Sequence, residues 1–64
     1  MISVTRLDGS AVLINIDLIM SIEQTPDTIV MLTTGDAVHV REAPEEIADR
    51  ILRYKRELAA GGVR

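Results

Sequence analysis

Five short aliphatic runs, each broken by a turn signal, come before a single long stretch of helical periodicity in this 64-residue chain. That order limits the fold more than any other feature, because runs this short suit strands and only the last segment suits a helix of several turns. Ile2 and Val4 alternate with Ser3 and Thr5, the period of two of a half-buried strand. Asp8-Gly9 follows, a strong hairpin signal that predicts a type I′ turn with positive φ at both central residues. Residues 11–16 form the return strand. A third strand over 18–23 is entered through Asn15-Ile16-Asp17, where short polar side chains bond nearby backbone and bend the chain. Thr25-Pro26-Asp27-Thr28 predicts a turn with Pro26 at its second position. Residues 28–33 and 37–41 are the fourth and fifth strands, joined by Thr34-Gly35-Asp36.

The fourth and fifth runs echo the first two at an offset of 26: Val4, Gly9, Ala11 and Val12 match Val30, Gly35, Ala37 and Val38. Two hairpins of equal register need similar residues, and this is the favoured reading over an old duplication.

The helix is predicted to begin at Pro44, whose missing N–H costs nothing in a first turn, and to end at Gly61-Gly62. Glu45, Glu46 and Asp49 lie near its start and Arg53, Lys55 and Arg56 toward its end, which complements the helix dipole. Glu46–Arg50 and Asp49–Arg53 have the spacing of i,i+4 ion pairs. Ile47, Ile51, Tyr54 and Leu58 form one apolar stripe, flanked by Ala48 and Leu52.

These elements predict an α+β fold: one domain over 1–60, a small antiparallel β-meander of about five strands with one C-terminal helix, and a flexible tail at 61–64. Whether the sheet closes into a barrel is left open. The chain has no Cys, Phe or Trp, so its core must be aliphatic and no disulfide or thiolate metal site can reinforce it. A lone His39 argues against a His-based metal site, and neither metal nor cofactor is expected. Residues 18–20 and 29–32 are apolar on both faces, whereas one helix covers one face. A homo-oligomer is expected to cover the other.

Net charge is −3, which argues against bulk attraction to nucleic acid or anionic membrane. It is unevenly spread: residues 1–40 carry one base against five acids, whereas residues 41–64 carry six bases against five. No apolar run is long enough to span a bilayer, and a cytoplasmic protein is expected. No phosphate loop, GxSxG or HExxH is present, and no enzyme is expected. His39 is best explained as an exposed strand residue; Asp8, Asp27 and Asp36 belong to turns. The candidate protein-interaction surface, chosen by location, comprises Asn15, Asp17, Pro26, Asp27, Arg50, Arg53 and Arg56.

An ordered set of residues gives the chain a resemblance. Val4-Thr5-Arg6-Leu7 with Gly9 comes first, then Asn15 with Asp17-Leu18-Ile19 and Ile22-Glu23. Thr25-Pro26-Asp27-Thr28, Leu32-Thr33 with Gly35, Val40 with Glu42, Glu46-Ile47, Ile51 and Tyr54-Lys55 follow. This set resembles the FlbD family of small flagellar proteins, also called SwrD-like swarming-motility proteins. The resemblance implies a cytoplasmic bacterial protein encoded among flagellar genes and needed for full motor power or swarming. It brings no catalytic residues, and the expected partner is a flagellar motor or export component.

A second resemblance points elsewhere. Val4-Thr5-Arg6, Ala37-Val38-His39 with Arg41-Glu42, and Glu46-Ile47 are similar to the two ends of the CsrA family of RNA-binding regulators, with an insertion near Ala43-Pro44. That family meets RNA through basic residues of its first and last strands across a strand-swapped dimer. The matching positions here are Arg6 and Arg41.

Overall fold

The computed structural model describes residues 1–60; the tail expected at 61–64 lies outside them. In chain order the elements are β1 (Ile2–Thr5), β2 (Ala11–Ile14), a 3-10 turn (Ile16–Leu18), β3 (Ile19–Gln24), β4 (Thr28–Leu32), β5 (Ala37–Val40) and α1 (Pro44–Ala59). β1 and β2 form one antiparallel sheet, and β3, β4 and β5 form a second. A single antiparallel bridge, Arg6 to Val40, joins them.

The strands do not close into a barrel, and the meander is split. The physical reason lies at the 3-10 turn. Asn15 caps it by accepting the Asp17 N–H at 3.0 Å, and the Leu18 carbonyl accepts the Thr33 N–H at 2.7 Å. The chain leaving β2 is thereby turned onto the end of β4, and β3 pairs with β4 from its first residue, Ile19 opposite Leu32.

Neither hairpin uses a type I′ turn. In the first, the Gly9 N–H donates to the Arg6 carbonyl at 2.9 Å and the Arg6 N–H to the Ser10 carbonyl at 2.8 Å. In the second, Gly35 and Leu32 repeat this with the Leu32 and Asp36 carbonyls at 3.0 and 2.9 Å. Among the described residues only these two glycines have positive φ, +95° at Gly9 and +96° at Gly35. A three-residue loop ending in a left-handed glycine needs no positive φ at Asp8, where a Cβ makes it costly. The turn at Pro26 also differs from expectation. The Thr25–Pro26 peptide is cis, and the Thr25 N–H donates to the Asp27 carbonyl at 3.1 Å.

The echo at an offset of 26 is an identity of register. Ile2–Ile14, Ser3–Leu13, Val4–Val12 and Thr5–Ala11 face each other in the first hairpin; Thr28–Val40, Ile29–His39, Val30–Val38 and Met31–Ala37 do so in the second. Ile2, Val4 and Ile14 are buried, as are their counterparts Thr28, Val30 and Val40.

Helix α1 completes the core. Pro44 occupies its first turn, and the Glu46 carboxylate reaches back to accept the Ala43 N–H at 3.3 Å. Ile47 is 0% exposed and packs with Ile2, Val4, Ile14, Val30 and Val40, while Ile51 and Tyr54 lie half-buried against this cluster. The apolar stripe is shorter than its periodicity predicts. Leu58 is 48% exposed: the helix packs against β1 and β3, and Tyr54 is the last residue of the stripe that packs against the core. The Asp49–Arg53 pair forms at 3.0 Å, but Glu46–Arg50 does not, since Glu46 caps the helix and Arg50 turns to another carboxylate.

Candidate interaction surface

The cluster with the most long-range side-chain hydrogen bonds lies where α1 meets the outer edge of β1. In an antiparallel hairpin alternate residues turn their N–H and C=O away from the partner strand. The Arg6 N–H points inward to the Ser10 carbonyl, so Ser3 and Thr5 turn their groups outward, onto an edge with no strand along most of its length. Glu42 and Arg50 satisfy that edge instead. One Glu42 oxygen accepts the Thr5 N–H at 2.9 Å; the other accepts the Thr5 hydroxyl and Arg50 Nη1, both at 2.9 Å. The same Arg50 nitrogen donates to the Ser3 carbonyl at 2.7 Å. The Thr5 carbonyl takes the Arg41 N–H at 2.8 Å.

Glu42 is only 7% exposed and keeps its charge because each oxygen has a donor. Burial pushes its carboxyl pKa up, but the Thr5 amide and hydroxyl and the Arg50 guanidinium outweigh that and hold it down to about 2. Above this cluster opens a polar hollow of about 460 Å³ lined by Ser3, Thr5, Glu42, Arg50, Arg53 and Tyr54. With Arg50 committed to Glu42 and Ser3, the hollow's freer cation is Arg53, held loosely by exposed Asp49.

A second hollow of about 510 Å³ lies beside β2, with apolar walls from Val12, Leu13, Leu18, Leu32 and Val38 and charged points at Arg6 and Asp36. The seven interaction candidates therefore do not form one patch. Arg50 and Arg53 share the polar hollow, and Arg56 is exposed in the last turn of α1. Asn15 lines the apolar hollow, while Asp17 follows it, exposed, in the 3-10 turn. Pro26 and Asp27 sit exposed in the turn between β3 and β4 and line neither hollow.

Arg6 and Arg41 both lie by the first hairpin turn but do different work. Arg41 folds over it, donating from Nε and Nη2 to the Leu7 carbonyl at 3.1 and 2.8 Å, with Gly9 beneath. Asp8 in that turn accepts the Ser10 hydroxyl at 2.7 Å and its amide at 2.9 Å, which hold the carboxyl below its usual range. His39 is an exposed strand residue as expected, and Glu42 is not its partner.

Glu42, Ser3 and Thr5 were not singled out by sequence as a cluster. Thr5 and Glu42 are 37 positions apart, and no periodicity links them. Among the described residues no group of three or more potential ligands could hold a metal ion, and no helix is long and apolar enough to cross a membrane.

No curated protein and no solved structure gives a significant match. A family model described as flagellar and swarming motility proteins, FlbD, matches residues 1–59. Because that match covers nearly the whole chain, including both hairpins, the Glu42 clamp and all of α1, the protein belongs to the FlbD family of flagellar and swarming motility proteins.

Proposed function

We propose that this chain supports flagellar motility and swarming from the cytoplasm by binding a flagellar motor or export component, without catalysing a reaction. The family match over 1–59 carries the flagellar reading. The polar side of α1 favours contact as the mode of action. Arg53 and Arg56 stand exposed there beside a shallow polar hollow, on a helix that the Glu42–Arg50 clamp fixes to the sheet. Two exposed arginines, set among the exposed acids Asp49 and Glu57, suit a protein surface that offers carboxylates, with which Arg forms bidentate pairs.

Deletion of the gene tests this reading. The expected outcome is loss of swarming with flagellar messenger levels unchanged. A fall in those messengers, with purified protein binding a short RNA hairpin more weakly as salt rises, would replace it by an RNA-regulatory role.

A further inference from the structure

The strand edges of this fold are treated unequally. The β1 edge is closed by Glu42, Arg50 and the Arg41 N–H. The β3 edge carries a register irregularity between Ile19 and Ser21 and ends in Glu23-Gln24, both devices that discourage pairing. The β5 edge is met at its last residue by Arg6, through the bridge to Val40, and carries the polar His39 along the rest. β2 has none of these protections. Its sequence, Ala11-Val12-Leu13-Ile14, carries no charge, no proline and no bulge. Because Ser3 and Thr5 turn their backbone groups outward, the residues opposite them, Leu13 and Ala11, turn theirs to the other side, onto the outer edge of β2. Leu13 is 66% exposed, and three large hydrophobic residues exposed among the described ones, Met1, Leu13 and Leu18, line the hollow beside this strand.

We propose that this edge seats a second copy of the same chain, the two β2 strands pairing antiparallel about a twofold axis through Val12. The outward groups favour a copy over a foreign strand. They sit on two residues flanking one, so a twofold at Val12 sets Ala11 of each chain opposite Leu13 of the other and satisfies all of these groups at once. Charge is self-complementary as well. The hollow carries one cation, Arg6, and one anion, Asp36, and among the described residues neither forms an ion pair within the chain. A surface facing its own copy can set each against the other, despite the −3 charge per chain. The joined sheet would run β1-β2-β2-β1, with each exposed Leu13 side chain beside Ala11 of the other chain and the two Leu13 diagonal on one face.

Sedimentation equilibrium of the full chain across a wide concentration range tests this, with far-UV circular dichroism as the check of folding. Wild type is expected at twice the 7.0 kDa chain mass. Leu13→Pro removes an outward N–H together with the Leu side chain, and Leu13→Lys places a charge on the edge; both should sediment at the single-chain mass with an unchanged spectrum. Leu52→Lys, at an exposed site on α1, should remain dimeric. Arg6→Glu or Asp36→Arg alone should weaken the dimer, and the two together should restore it. If Leu13→Pro fails to fold, the Leu13→Lys mass and the concentration dependence of Leu13 amide exchange in wild type decide. A wild-type monomer at every concentration, including one that takes up a foreign strand, overturns the proposal, as does a dimer that survives Leu13→Lys.

Discussion

Glu42 and Thr5 are joined twice: the Thr5 amide and hydroxyl donate to separate oxygens of one carboxylate, each at 2.9 Å. The segment leading into α1 is thereby tied to the outer edge of β1, and Arg50 secures the helix by bonding both Glu42 and the Ser3 carbonyl. Glu42→Gln keeps the shape but loses the charge. It leaves an amide NH₂ group facing Thr5 or Arg50, and Arg50 half-buried without its partner. The expected cost is about 1–3 kcal/mol, seen as a lower urea midpoint at pH 7. Thr5→Val, which keeps the amide bond, should cost about 1 kcal/mol.

The same cluster sets a pH dependence. The Glu42 pKa falls from 4.5 in the unfolded chain to about 2 in the folded one. A depressed carboxyl stabilises fully above its unfolded value, and that contribution fades as pH drops from about 4.5 toward 2. With Arg50 partly exposed to screening solvent, the loss should be about 1–2 kcal/mol over this window. Urea midpoints measured from pH 6 to 2 should fall more steeply for wild type than for Glu42→Gln.

Gly9 and Gly35 occupy the same turn position in the two hairpins, both with positive φ. Gly35→Ala meets nothing within 4 Å, and Gly9→Ala meets only the Arg41 guanidinium at ordinary contact distance. Conformational strain alone therefore sets the cost, about 1 kcal/mol at each, and Asn should be milder than Ala. Near-equal midpoints for the two alanine variants would confirm that the turns are equivalent.

Ile47 is the side chain of α1 with no exposure, and Ile47→Ala should cost about 2–5 kcal/mol. In a domain this small that is a large part of the total stability, and thermal melts should show a lost or strongly lowered transition. Leu58→Ser, at a site the helical stripe places in the core but the fold leaves exposed, should stay within about 0.5 kcal/mol of wild type.

The local features were legible in the sequence. The period of two at Ile2 and Val4, the glycines after each first hairpin strand, and Pro44 ahead of an apolar stripe place the elements within a residue or two. Leu58 was misassigned because periodicity fixes a face but says nothing of how far the opposing sheet extends. The split of the meander depends on where Leu18 and Thr33 meet, a contact that no strand pattern encodes. Glu42 was hidden for a like reason. An acid between two elements looks like loop, and only the tertiary fold brings it to the Thr5 edge. Of the interaction candidates, Arg50 is identified by the structure as a clamp, whereas Arg53 and Arg56 keep their exposed positions on the helix.

The direct measurement is the swarming rate of cells carrying Arg53→Glu with Arg56→Glu in place of wild type, at matched protein level and with the purified variant folded. If the chain works through Arg53 and Arg56 on the exposed side of α1, swarming falls to that of the deletion while flagellar messengers stay constant. Swarming at the wild-type rate would contradict the account.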